Sequence, residues 1–236
     1  MPNSTSIGQN KLLNGLAAAD LARLQPNFRK VCLTRGRVLH PLGAPIEHVY
    51  FPESGMVSLL SVTTTGEQIE TAIIGSEGAV GVRVAIHAAF DNTQSIVQAD
   101  GSAWQITTAK FLELYRENDP FRSAINRQLG LILFQAQQSA TCHAMHSVKA
   151  RLCRWLLLSQ DMLGLEQVPL TQEFLSYMLG VRRTSVSLCA HALQKSGLIQ
   201  YSRGKIKIQN RKGLEECACE CYAAIREQID SLSSRF

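Results

Sequence analysis

The densest run of chemistry-bearing side chains is "VRRTSVSLCAHALQK", residues 181–195. Arg182 and Arg183 stand together, and the hydroxyls of Thr184, Ser185 and Ser187 follow. An arginine fork fits guanine O6 and N7 with two parallel hydrogen bonds, and an exposed Leu188 can touch a thymine methyl. Lys195, Arg203, Lys205 and Lys207 suit phosphates, which position a duplex without specifying it, and His191 joins the DNA-binding set from the outward face. Thr171 joins this DNA-binding set from the head of the preceding segment. Residues 145–212 hold eleven Lys or Arg and three acids, a net +8, whereas the remainder of the chain is −3. That asymmetry predicts a polyanion-binding module joined to something else.

The elements that must position these groups follow from punctuation and period. Thr171 is an N-cap for "QEFLSYML". Gly180-Val181-Arg182 makes a turn. A second helix from Arg183 ends near Gly197, a natural left-handed C′ residue. On it Val186, Cys189 or Ala190, and Leu193 face inward, whereas Thr184, Leu188, His191 and Lys195 face outward. "LIQY" and "IKIQN" flank Gly204 as a hairpin, which makes a winged helix-turn-helix. "RKGLEECACECYAAIREQID" reads as one final helix.

Upstream, "KVCLTRG", "RVLH", "EHVYFP", "MVSLLSVT", "QIETAII", "SIVQAD" and "AWQIT" are short strands separated by turn signals. They predict an antiparallel roll, barrel or sandwich. A short helix precedes them at Asn14–Leu24. From Pro120 to Gly164 the period changes to helical, and an apolar stripe runs through Ile125, Leu129, Ile132 and Ala136 to Ala150, Cys153 and Leu157. One rod of ~60 Å is expected there, with the stripe as a dimer seam. The alternative is a helix lying across its own β domain. The fold class is thus α+β: a β-roll effector domain at 1–119, a dimerisation helix at 120–164 and a winged helix-turn-helix at 165–236.

This layout resembles the Crp/Fnr family of bacterial transcription regulators across nearly the whole chain. "GRVLHPLGAPIEHVYFPESGMVSLLSVTTTGEQIETAIIGSEGAVG" is similar to the family's cyclic-nucleotide-binding-type roll. "LTQEFLSYMLGVRRTSVSLCAHALQKSGLIQYSRGKIKI" is similar to its reading head. The resemblance implies a homodimer that binds double-stranded DNA at a near-palindromic promoter site and acts on RNA polymerase. It also implies a regulator, not an enzyme.

Departures from the family pattern bear on the effector and the operator. Nucleotide-binding members carry a Gly-Glu pair for the ribose and an Arg-Ser or Arg-Thr pair for the phosphate. Here Val80 stands near the Glu position and Thr93-Gln94 at the Arg-Ser position. Arg83 is a nearby cation out of register. Helix positions that meet the base fall near Ala136 and Gln137. Gly78, Val80, Arg83, Thr93, Gln94 and Gln137 are therefore the candidate effector pocket, and cyclic AMP is not the expected occupant, so the cofactor is unassigned. Iron–sulfur sensing in the family uses an N-terminal cysteine cluster, and this N-terminus has Cys32 alone. His40, His48 and His87 are single histidines, read as structural and not as haem ligands. At the recognition helix, Thr184 and Leu188 stand where relatives often hold Glu and Arg, so the half-site should differ from the usual one.

Composition excludes several classes. With 45% hydrophobic and 18% charged residues the chain folds around an ordinary core. No apolar run reaches the ~18 residues of a membrane span, and "MPNSTSIGQN" has no signal-peptide pattern. A cytoplasmic location, without membrane attachment, is expected. Seven cysteines, at 32, 142, 153, 189, 217, 219 and 221, are read as small apolar residues and not as a disulfide framework. "CACEC" would put Cys217 and Cys221 on one helix face and Cys219 on another, and His143 and His146 have no evident reason to approach it. No metal site is expected. A cupin-like metalloenzyme would need an H-x-H pair, which is missing. A β-roll scaffold whose basic tail binds another polyanion is the remaining alternative.

Overall fold

A computed structural model describes residues 9–86, 93–202 and 204–233. Two short helices, α1 (Lys11–Asn14) and α2 (Ala18–Leu24), stand where one was expected. Asn10 caps α1 by accepting from the amide of Leu13, and its amide donates to the carbonyls of Pro52 and Gly78.

All seven expected strands form: β1 (Arg29–Leu33), β2 (Val38–His40), β3 (His48–Pro52), β4 (Met56–Val62), β5 (Gln68–Ile74), β6 (Thr93–Ala99) and β7 (Gly101–Thr107). They make two antiparallel sheets, ordered β1-β7-β3 and β2-β6-β4-β5. Inward apolar side chains of both sheets, such as Leu33, Tyr50, Val57, Ile74, Val97 and Ala103, fill the space between them. A 3₁₀ turn at Val82–Ile86 leads out of the β5–β6 connection.

α3 (Thr108–Glu117) leads into α4 (Asp119–Met145). Asn118 caps α4 by accepting from the Phe121 amide at 2.7 Å. The expected single rod is two helices. α5 (Val148–Leu163) starts afresh after His146, whose backbone is extended at φ −110°, ψ 149°. Ser147 caps α5 by accepting from the Ala150 amide at 3.3 Å. A serine N-cap suffices to restart a helix without Gly or Pro. The apolar stripe also faces elsewhere than expected. Ile125 is buried, and Leu129 and Ile132 are half-buried, all against the roll of their own chain. The stripe is intramolecular core, and a different face of α4 remains outward.

The last third holds β8 (Gln167–Pro169), α6 (Gln172–Leu179), α7 (Arg183–Lys195), β9 (Ile199–Ser202), β10 (Lys205–Ile208), α8 (Arg211–Cys217) and α9 (Cys221–Ser233). The wing is three-stranded, ordered β8-β10-β9, one strand more than expected. The expected final helix is broken at Ala218, whose backbone is extended. One cluster joins Met56, Leu60 and Ile73 of the roll to Trp155 and Leu156 of α5 and to Leu175, Val186 and Leu193 of the head. The reading head is therefore seated on the roll through α5.

Candidate nucleic-acid interface

The turn between α6 and α7 is set by Gly180 at φ 57°. This left-handed conformation suits glycine, and a Cβ there would lie 2.9 Å from Ile69 Cδ1 on β5. α7 then starts at Arg182, which makes no side-chain cap. The helix dipole favours an anion at such an N-terminus.

The two faces of α7 separate as its period demands. Val186, Ala190 and Leu193 are buried against α6 and α5, with Cys189 packed beside them. Burial pushes the Cys189 thiol up. Arg182, Arg183, Thr184, Leu188, His191 and Lys195 are exposed, and Ser185 is half-buried. Leu188 is 73% exposed. A bare leucine amid cations and hydroxyls fits an apolar contact with a partner.

Two candidates also do structural work. Thr171 caps α6 by accepting from the Phe174 amide at 3.2 Å. Ser187 donates to Gln172 Oε1 at 2.7 Å and to the Arg183 carbonyl at 3.0 Å. Gln172 thus fixes α7 against the start of α6, and it lies on the same side as the candidate contacts. No local pattern marks it, because its partner is on the next helix. Lys205 is exposed at the wing. The β9–β10 ladder aligns it with Ser202. Arg203 lies outside the described residues.

The basic surface is narrower than the net charge suggests. Arg151 is buried and donates to the Leu179 carbonyl at 3.0 Å and to His143 Nδ1 at 2.7 Å. Burial first, then the Arg151 and Arg154 charges, push the His143 imidazole down to about 4, so it stays neutral and accepts. Arg154 is buried as well. Arg211 is held by Asp161 and Glu215, and Lys207 by Glu166. The cations left outward concentrate on α7 and the wing.

Of the candidate effector residues the structure brings Arg83 and Thr93 together and gives Val80, Gly78 and Gln94 packing or sheet positions. Val80 is fully buried, and its backbone pairs with Tyr50 in both directions, at 2.8 and 3.0 Å. Gly78 lies against Gln128, whose amide a Cβ on Gly78 would meet at 2.4 Å. Arg83, out of register in sequence, does reach Thr93 Oγ1 at 3.3 Å. Gln94 pairs with Leu60 inside the sheet. Gln137 is exposed, whereas Gln128 and Gln135 face the roll. Gln135 clamps both backbone groups of Ile73, accepting at 3.0 Å and donating at 3.2 Å. His40 is buried between Ser95 and the His48 carbonyl, a structural position. His87 lies outside the described residues.

A β-roll that carries a winged helix-turn-helix on a helical connector defines a two-module DNA-binding regulator. Residues 150–217 match the family model for a Crp-like helix-turn-helix domain, and residues 30–118 match that for a cyclic nucleotide-binding domain. The chain belongs to the Crp/Fnr family of DNA-binding transcriptional regulators. The same fold is seen in FixK2 from Bradyrhizobium japonicum, at 14% identity over 81% of this chain and 98% of that one, TM-score 0.70. It is seen in the c-di-GMP-responsive global regulator CLP of Xanthomonas campestris, at 17% identity over 81% and 99%, TM-score 0.69. A Crp/Fnr-family regulator from Thermus thermophilus matches at 20% identity over 80% and 98%, TM-score 0.67. No curated protein sequence matches significantly. Among the described residues no helix is long and apolar enough to cross a membrane.

Proposed function

We propose that this regulator works in the cytoplasm as a homodimer, reads a near-palindromic duplex site with the N-terminal half of α7, and acts on RNA polymerase without cyclic AMP. The observation that carries the reading is the outward face of α7, where Arg182, Arg183, Thr184, Leu188 and His191 are exposed together above a fully packed inner face. Base contacts then come from the arginines and Leu188, and Lys195 and Lys205 hold phosphates.

The outward face of α4 supports the dimer. Asn126, Gly130, Leu133, Gln137, Ala140 and Ala144 are all exposed and alternate by four and three residues. That spacing is a coiled-coil seam. Its small members let a partner helix come close, and Leu133, 60% exposed, supplies the central apolar knob. Two heads on one dimer read half-sites about one turn, ~34 Å, apart.

The roll argues against cyclic AMP. Val80 offers no acceptor for a ribose hydroxyl and is spent on core packing. Arg83 near Thr93 retains one cation at the site, so an anionic effector of another shape fits the residues better. Selection from randomised duplexes tests the main reading. Enrichment of a two-fold-symmetric motif supports it, and failure to enrich any motif counts against it.

A further inference from the structure

The two unexpected helix breaks lie side by side. The first, at His146, separates α4 from α5; the second, at Ala218–Glu220, separates α8 from α9. Between them Cys142, His146, Cys219 and Cys221 converge, with one ligand atom of each within 4.8 Å of all the others. We propose that these four side chains form a tetrahedral site for one zinc-class divalent ion.

The distances fit such an ion. Cys142 Sγ and Cys219 Sγ are 3.5 Å apart, and Cys221 Sγ is 3.5 Å from His146 Nδ1. Tetrahedral bonds of ~2.3 Å to sulfur and ~2.0 Å to nitrogen put neighbouring ligands roughly 3.5–3.8 Å apart. The sulfurs are not bonded to each other, since a disulfide would need ~2.05 Å. Three thiolates and one neutral imidazole make a complete structural ligand set for zinc, with no position left for water.

The surroundings fit as well. The three cysteines are buried, with Ala150 packed against them. His146 Nε2 lies 3.0 Å from Glu220 Oε1. That carboxylate fixes the tautomer in which Nδ1 is free to bind metal, the usual arrangement around a ligating histidine. Gln138 Nε2 donates to Cys221 Sγ at 3.0 Å, as a donor to a thiolate should. Three thiolates around a divalent ion leave a net −1, and the buried Arg154 guanidinium supplies positive charge to Cys142 and Cys219. On binding, each thiol loses its proton to solvent and no electron is transferred.

Position gives the site its consequence. It ties the α4–α5 junction to the turn before α9, two places where the backbone leaves the helical conformation, at His146 and Ala218. Metal binding would stabilise both, in the manner of small structural zinc sites.

The test uses the full-length protein purified under reducing conditions without chelator. Metal analysis and native mass spectrometry should find one zinc per chain. Cobalt(II) substitution should give the thiolate charge-transfer and d–d bands of a tetrahedral site. Cys221→Ser should lose the ion and Cys32→Ser should keep it. Glu220→Gln, an exposed change that spares folding, should weaken affinity about 10–100-fold. If the cysteine variants do not fold, the wild-type cobalt spectrum and Glu220→Gln decide. Reduced wild-type protein that binds neither zinc nor cobalt would overturn the proposal. So would a Cys142–Cys219 disulfide found by mass, or iron with acid-labile sulfide.

Discussion

The indole N–H of Trp155 donates to Glu70 Oε1 at 2.7 Å, which joins α5 to β5 through a buried carboxylate. Ser58 donates to the other oxygen at 2.5 Å. Through this pair the connector that carries the reading head is held to the sensor roll. Burial is the largest influence on Glu70 and pushes its carboxyl up to about 7, against lowering by Ser58, Arg154 and Trp155.

A raised carboxyl favours the folded state in its protonated form. Its contribution is complete below the unfolded value near 4.5 and is lost as pH rises through about 7. At about 1.4 kcal/mol per pH unit, the loss is on the order of 3 kcal/mol. Glu70→Gln keeps an oxygen for Trp155 and removes the titration. Thermal unfolding should show the variant more stable than wild type at pH 8, with the gap closing toward pH 5. A gap independent of pH would contradict the assignment.

Leu133 is exposed on α4 whereas Ile125 is buried against the roll, so the two should fail differently. Leu133→Arg places charge in the outward seam, so sedimentation should show monomers with little change in unfolding temperature. Ile125→Ala empties a buried site and should cost about 2–5 kcal/mol of stability. A dimer that survives Leu133→Arg unchanged would move the interface elsewhere.

Arg183 and Lys205 should divide specificity from affinity. Arg183→Ala is expected to cost ~1–3 kcal/mol at one base pair of each half-site and to relax the preference there, whereas Lys205→Ala weakens all sequences and lowers the salt slope by about 1. Binding titrations on matched and scrambled duplexes at several salt concentrations separate the two. Equal losses on both duplexes for Arg183→Ala would contradict the division.

Cyclic AMP should neither bind nor alter DNA affinity. Calorimetry with the nucleotide is expected to give no heat beyond dilution. Micromolar binding with a tighter DNA complex would overturn the reading of Val80 and Thr93.

Much of this architecture was legible in the chain. The seven roll strands follow from alternation and turn residues, both local signals. The faces of α7 follow from its own period. What escaped depends on contacts distant in sequence. The stripe through Ile125 shows that one face of α4 is buried but not against what, and the structure puts the chain's own roll there, the alternative to a helix pair. Arg151 counts as a surface cation until the Leu179 carbonyl, 28 residues on, is seen to take it inward. Ser147 restarts a helix with no Gly or Pro to announce it, and the break at Ala218 brings Cys219 and Cys221 together although their spacing on one helix would part them. Gln172 and Gln135 act through partners on other elements and carry no motif.

Selection of bound duplexes from a randomised pool, with and without cell extract to supply an effector, tests the central claim most directly. The predicted result is a two-fold-symmetric motif with half-sites one helical turn apart, in which Arg183→Ala erases the preference at a single base pair of each half. Recovery of unrelated sequences held only by salt-sensitive contacts would contradict it.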